Sequence, residues 1–165
     1  YLKPAQMSRF FFMPYTQHIA QHFHQVYFGG NWTVTNLKDT LAEVDLRMAL
    51  EQVKDLNSIA TLTFHIHYFV KVASQVLEGH PLEGNDKLSF NHPKFETEED
   101  WSAYKKQVLI EGEKFASLIE RLDDNILEKP FGDQKYGTYQ RNLLGIIEHT
   151  HYHLGQISLI KKLLN

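Results

Sequence analysis

The chain has 165 residues, which is the size of one compact domain. Its composition, with 42% hydrophobic, 13% aromatic and 22% charged residues, excludes a largely disordered protein. The absence of cysteine excludes a disulfide framework and a thiolate metal site, and the net charge of −3 does not favour binding to nucleic acid. Ten histidines are the unusual feature of the composition, so histidine chemistry is the first place to look for function.

Four long helices and one short helix are predicted from the spacing of apolar residues along the chain. The first long helix covers about residues 8–28 and ends at the glycine pair 29–30, and Pro14 either delays its start or kinks it. The short helix covers residues 45–53 and is capped by the aspartate at its start. The second long helix covers about residues 57–78.

The third and fourth long helices occupy the C-terminal half of the chain. Thr97 is the predicted cap of the third helix, and the three acidic residues after it suit the positive end of a helix dipole. Its apolar stripe extends to Leu122, and the fourth helix covers about residues 138–164. The loop at 80–96 is long enough to cross the end of a bundle instead of turning tightly. The similar helix lengths predict a single all-α domain over residues 1–165, a four-helix bundle.

Two features favour a soluble protein of the cytoplasm. The first residues contain no stretch that resembles a secretory signal with its cleavage site. The longest uncharged run, Leu56–Val70, is shorter than the ~20 apolar residues that cross a bilayer, and it contains two histidines. We therefore expect a cytoplasmic protein that binds neither a membrane nor nucleic acid.

Two histidines of the fourth helix have the spacing of a metal-binding pair. His149 and His153 are four residues apart, so their side chains project from one flank of the helix, one turn apart. His151 projects from the other flank and cannot share an ion with them. An isolated pair of this kind is more often two half-buried histidines than a metal site. A metal site therefore requires a third ligand from another helix.

His65 and His67 of the second helix are the candidates for that third ligand. His65 lies slightly nearer to the apolar stripe than His67, but the difference is too small for spacing alone to choose between them. His18 and His22 repeat the four-residue spacing on the first helix and compete for the same role.

Two histidine-rich motifs and one tryptophan occur together in an order that is typical of one superfamily. They are Thr-Phe-His-Ile-His-Tyr-Phe at 63–69, Ile-Glu-His-Thr-His-Tyr-His-Leu-Gly-Gln-Ile at 147–157, and Trp101 after a Lys-Leu-Ser-Phe loop. On these residues, and on the order and lengths of its helices, nearly the whole chain resembles the bacterial DinB/YfiT-like superfamily of metal-binding four-helix bundles.

The resemblance implies a divalent metal ion, most often zinc or nickel, bound by His65, His149 and His153 with water completing the shell. It also implies a metal-dependent enzyme that acts on a small electrophilic substrate with a low-molecular-weight thiol, as a transferase or isomerase, or that acts as a hydrolase. The alternative is a non-catalytic bundle with a structural metal that serves as a binding or stress-response interaction module. A homodimer is plausible for so aromatic a chain.

Further residues are candidates for the pocket or for contacts to the metal ligands. Gln156 lies about one turn beyond the histidine pair, and Tyr68 and Tyr152 are close to the ligands in the sequence. Asn31 and Trp32 follow the first helix. Either both line the mouth of the pocket, or Trp32 packs over the end of the core. The full set of these candidates is His18, His22, Asn31, Trp32, Tyr68, Tyr152 and Gln156.

Overall fold

The computed structural model describes residues 13–165, and within them the chain is all-helical and has no β-strand. Four of its six α-helices are long, so the prediction of an all-α protein with four long helices is confirmed. The α-helices are α1 (Tyr15–Phe28), α2 (Leu37–Ala42), α3 (Leu46–Leu50), α4 (Ile59–Leu77), α5 (Glu98–Glu120) and α6 (Tyr139–Leu164). Short 3₁₀ turns lie at Asp86–Phe90, Asp124–Ile126 and Gln134–Tyr136.

Pro14 determines where α1 begins. The helix starts at Tyr15, directly after the proline, so Pro14 delays the helix and does not kink it. The carboxylate of Asp124 accepts hydrogen bonds of 2.8 and 2.9 Å from the backbone N–H groups of the first two helical residues. Gly29, with a φ of 110°, ends the helix as predicted, whereas the predicted helical residues 8–12 lie outside the described residues.

The sequence predicts one short helix between α1 and α4, and the structure contains two. Asp45 caps α3 as predicted, because its side chain accepts a hydrogen bond from the Met48 backbone N–H at 2.7 Å. The helix ends at Leu50 and does not reach Val53. The apolar pattern does not predict α2, because six residues are too few to show a periodic stripe, and its cap Asn36 is its main sequence signal.

Each of the three remaining helices begins at a residue whose side chain caps it. Ser58 caps α4 and Thr138 caps α6. Thr97 caps α5 as predicted, and the carboxylate of Asp100 accepts a hydrogen bond from the Thr97 backbone N–H in return. The observed ends of these helices agree with the predicted ranges to within two residues.

The helices α1 and α5 pack closely and run antiparallel. The hydroxyl of Thr16, at the start of α1, donates to the carbonyl of Leu122, just beyond the end of α5. At the other end of α1, the ring of Tyr27 lies directly over Gly112 of α5. A Cβ atom at position 112 would lie 2.5 Å from two ring atoms, so only glycine permits this approach.

The helix α4 has neighbours on two sides, and it runs antiparallel to one of them and parallel to the other. Its contacts with α6 are antiparallel, because Leu62 lies beside Ile160, whereas Phe69, two turns later on α4, lies beside His149. Phe64 stacks on Tyr104 near the start of α5, and Glu78 pairs with Lys114 further along, so α4 and α5 are parallel. A parallel pair requires a long return connection, and residues 79–97 provide it. The loop does not turn tightly, as predicted, but it returns along α4 instead of crossing the end of the helices, since Asn85 contacts Tyr68 and Ser89 contacts His65.

The core includes large aromatic residues from α1 and α5. Phe23 packs edge-on against Phe115, with ring centroids 4.8 Å apart. Trp101 is fully buried, and its indole N–H donates to the carbonyl of Val44 at 2.9 Å, which attaches α5 to the segment of α2 and α3. Among residues 13–165, no helix combines the length and the apolar character that crossing a membrane requires.

Candidate metal centre

Three histidines from two helices meet in one place. His65 of α4 lies beside His149 and His153 of α6, and one ligand atom of each can be chosen so that all three lie within 4.8 Å of one another. The ring centroids are 4.5–4.7 Å apart. The four-residue spacing brings the two rings of α6 to one flank, and the antiparallel packing of α4 brings the third ring to the same level. Within the described residues, this is the one group of three or more such side chains whose ligand atoms, as placed, already lie this close together.

The ring of His65 is oriented by the 3₁₀ turn after α4. Its Nδ1 lies 2.8 Å from the hydroxyl oxygen of Ser89, and that hydroxyl donates its own hydrogen to the carbonyl of Asp86 at 2.6 Å. The oxygen of Ser89 therefore accepts from His65, so Nδ1 carries the proton and the lone pair of Nε2 faces the other histidines. The ring of Phe90 stacks on the same imidazole with a centroid distance of 4.0 Å.

The other two rings differ in how firmly they are held. His153 Nδ1 donates to the side-chain oxygen of Gln156 at 2.7 Å, which leaves the lone pair of its Nε2 free. His149 Nε2 lies 2.9 Å from His65 Nε2 and donates to it, since the latter carries no hydrogen. The Nδ1 of His149 has no hydrogen-bond partner in the described part of the chain. To act as a ligand through Nε2, His149 must shift its proton to Nδ1.

The electrostatic surroundings keep all three imidazoles neutral near pH 7. Burial, with smaller contributions from His153 and His65, lowers the pKa of His149 to about 4. Burial is also the main cause that lowers the pKa values of His65 and His153, although the nearby carboxylate of Asp86 opposes it at His65. Neutral imidazole is the form that binds metals, so this donor set fits a divalent transition-metal ion.

An open cavity of about 510 Å³ lies beside the triad. Gly145 is one helical turn before His149, and the space that its Cβ would occupy has no neighbouring atom within 4 Å, which keeps the approach to the triad wide. The cavity contains one cationic and one anionic side chain, Arg141 and Asp86. Besides the three histidines, the lining residues are Phe69, Asp86, Arg141, Asn142, Gly145, Ile146 and Tyr152. The site can therefore accept a small molecule directly beside the candidate ligands.

Two of the pocket residues expected from the sequence lie at the triad. Gln156 orients His153, as described above, and Tyr152 lines the cavity with its ring centroid 4.8 Å from that of His153. Tyr68 lies on another flank of α4, where its hydroxyl accepts a hydrogen bond from the Asn85 backbone N–H at 2.8 Å and anchors the loop.

The structure does not bring Asn31 or Trp32 to the triad or its cavity. Asn31 is buried, and its amide donates to the carbonyls of Gln25 and Thr35, so it organises the turn after α1. Trp32 is 99% exposed and does not close the core.

The remaining histidine candidates face other parts of the molecule. His67 is buried against α5, with Nε2 at 3.2 Å from a carboxylate oxygen of Glu111. His18 and His22 are on the exposed side of α1, and the ring of His22 lies 6.2 Å from that of His151, on the flank of α6 opposite to the triad. The structure thus separates His65 from His67 by the helix that each one faces.

Several residues of the site are absent from the sequence-based set. Arg141 and Gly145 could be found by extending the four-residue spacing of His149 and His153 backwards along α6. Ser89 and Asp86 have no such signal, because they lie in a loop without periodicity and reach the site only through the return of the chain along α4.

Comparisons with models of protein families, with curated protein sequences and with solved structures find no match to this chain. The resemblance to the DinB/YfiT-like superfamily therefore stays a prediction from its motifs.

Proposed function

We propose that this protein is a DinB-like four-helix bundle that binds one divalent metal ion, zinc or nickel, and acts as a metal-dependent enzyme on a small molecule. The observation that carries the proposal is the triad of His65, His149 and His153 beside an open cavity. Support for the bundle comes from the four long helices, of which α1 packs on α5 and α4 packs on both α5 and α6.

The environment of the triad favours a catalytic site over a structural one. Structural zinc sites are usually closed by four protein ligands, whereas catalytic sites have three and keep one position for water or substrate. No fourth histidine or carboxylate joins the triad among residues 13–165. The non-catalytic interaction module is the second candidate. It would be favoured if metal-loaded protein catalysed no reaction.

When bound at such a site, a divalent metal supplies a Lewis acid that lowers the pKa of a water or thiol ligand. The residues of the chain provide the rest of the proposed site. Ser89 and Gln156 hold two imidazoles in the tautomer that binds metal, and Arg141 and Asp86 offer opposite charges to a substrate in the cavity. Because the 165 residues contain no cysteine, a reacting thiol has to come from a small molecule, which is consistent with a thiol-dependent transferase.

Metal content tests the first part of the proposal. Protein purified without an affinity tag and dialysed exhaustively is expected to retain about one metal ion per chain, measured by inductively coupled plasma mass spectrometry. His153→Ala is expected to lose this metal and to keep its helical circular dichroism. His80→Ala, in the exposed loop after α4, is the control and should retain the metal. A His153→Ala variant with unchanged metal content would refute the assignment.

Activity tests the second part. Metal-loaded protein is incubated with a series of small thiols and a chlorinated aromatic electrophile, and product formation is compared with that of the metal-free protein. A metal-dependent rate that falls in Arg141→Ala at unchanged metal content supports an enzyme that uses this cavity. Full metal occupancy without a rate for any thiol contradicts the transferase and favours the interaction module.

A further inference from the structure

A second group of histidines lies on the side of α6 that faces away from the triad. His151 of α6 and His22 of α1 face each other with ring centroids 6.2 Å apart and ring planes inclined by 51°. His18 is on α1, one turn before His22, and both are exposed. None of the three contributes to the triad or lines its cavity.

The helical geometry places these side chains where they can share one ion. Histidines four residues apart project from one face of a helix and form a chelating pair, so His18 and His22 supply two nitrogens from α1. His151 supplies a third nitrogen from the neighbouring helix. The ligand atoms of this group do not lie within 4.8 Å of one another as placed, so sharing one ion requires the exposed rings of His18 and His22 to turn towards His151.

A carboxylate is available at the same level of the two helices. α1 is antiparallel to α5, α5 is parallel to α4, and α4 is antiparallel to α6, so α1 and α6 run in the same direction. Glu148 lies one turn before His151 on α6 and is exposed. Because α1 and α6 run in the same direction, Glu148 lies level with His18, which is one turn before His22 on α1. Three imidazoles and one carboxylate form a donor set typical of zinc, nickel and copper.

We propose that His18, His22 and His151 form a second transition-metal site, at the surface between α1 and α6, with Glu148 as an additional ligand. Its affinity is lower than that of the triad for a structural reason. The rings of the triad are already 4.5–4.7 Å apart and two of them have orienting partners, whereas the surface rings must turn before they converge. The surface site therefore fills only when free metal is abundant, and it then connects α1 to α6.

The test is a titration of metal-free, untagged full chain with Zn²⁺ alone, followed by calorimetry and by equilibrium dialysis. Two classes of site are expected, a tighter one and a weaker one, with about two ions per chain at saturation. His22→Ala and His151→Ala should each reduce this to about one ion and leave the tighter class unchanged. His80→Ala should retain both classes.

The two metal proposals fail independently in this experiment. His153→Ala should lose the tighter class of site and keep the weaker one. If the unmodified chain has no tighter class, the proposed function is contradicted and the surface site still stands. A weaker class that persists in both His22→Ala and His151→Ala would overturn the surface site. So would a weaker class that appears only together with dimers in sedimentation velocity, because the ion would then bridge two chains.

Discussion

The helix α4 presents one histidine to each of two neighbouring helices, and the two surroundings differ. His65 faces α6, where it has a hydrogen-bond partner, two further histidines and an open cavity. His67, two residues later, faces α5 and is 2% exposed, and neither of its ring nitrogens has a properly aligned hydrogen-bond partner in the described structure. The carboxylate of Glu111 is close to His67, at 3.2 Å, but is not aligned with the ring.

The side of α4 that faces α5, called the enclosed face below, contains further buried polar groups that have no hydrogen-bond partner within residues 13–165. The side that faces α6 and the cavity is called the open face. The hydroxyl groups of Tyr27 and Tyr104 are buried without a partner among the described residues. Burial raises the pKa of both tyrosines, so both stay protonated. Unpaired buried polar groups reduce stability. Within the described structure, the same residue type on one helix is thus an oriented candidate ligand on one face and a buried residue without a hydrogen-bond partner on the other, and the neighbouring helix decides which.

Replacing one histidine at a time is expected to give the largest difference between the two faces. His65→Ala should weaken zinc binding by at least about 100-fold, because a ligand is lost. His67→Ala should change zinc affinity by less than about threefold, because His67 is not one of the three histidines of the triad. Competition with a chromogenic chelator measures both affinities. Equal losses in the two variants would contradict the division between the faces.

The enclosed face can be tested through Gly112. Gly112→Ala is expected to reduce the free energy of unfolding by about 2–3 kcal/mol, because the new Cβ would overlap the ring of Tyr27. Gly155→Ala on α6 is the matched control, since its Cβ would meet no atom within 4 Å, and it should be neutral or stabilising by up to about 1 kcal/mol. Urea denaturation measures both. Equal stabilities of the two variants would show that the close approach of α1 is not required.

Removing Ser89, the hydrogen-bond partner of His65, would leave His65 on the open face without a partner, as His67 is on the enclosed face. Ser89→Ala leaves His65 Nδ1 without its acceptor, so zinc affinity is expected to fall about tenfold while the ligands stay in place. Ser102→Ala, an exposed serine of α5, should have no effect. An unchanged affinity in Ser89→Ala would mean that the hydrogen bond to Ser89 is not needed to orient the ring.

The smallest expected effect concerns the pH dependence of stability. Burial lowers the pKa of His67 in the folded protein, so below about pH 6.5 the unfolded chain takes up a proton that the folded chain does not. Acid therefore favours unfolding. Between pH 7 and 5.5, metal-free wild type should lose about 1 kcal/mol more stability than His67→Gln, measured by urea denaturation in the presence of a chelator. Parallel curves for the two proteins would contradict a neutral, buried His67.

The sequence predicts the parts of this site that depend on helical spacing. The spacing of His149 and His153 places both on one flank without knowledge of the fold, and Thr97 and the glycine pair 29–30 predict helix ends from local chemistry, whereas at Pro14 the sequence leaves a delayed start and a kink open. These predictions succeed because the interactions are between residues close in the chain.

The remaining parts depend on which helices become neighbours. His65 and His67 lie on opposite sides of the apolar stripe, and only the packing of α5 and α6 decides which of them meets the pair. Trp32 departs from its expected burial in the same way, because a large apolar residue predicts burial, while the structure leaves it 99% exposed. Ser89 reaches His65 across 24 residues of sequence, a distance over which spacing carries no information.

The connection between α4 and α5 has a consequence for the lifetime of a bound ion. Tyr68 fastens this segment at Asn85, and Ser89 a few residues later fastens the imidazole of His65. A brief detachment of the segment frees that ring while both helices stay intact. For an ion in the proposed site, we therefore expect the opening of this surface loop to set the rate of exchange, and a protease that cuts there should shorten the residence time without unfolding the protein.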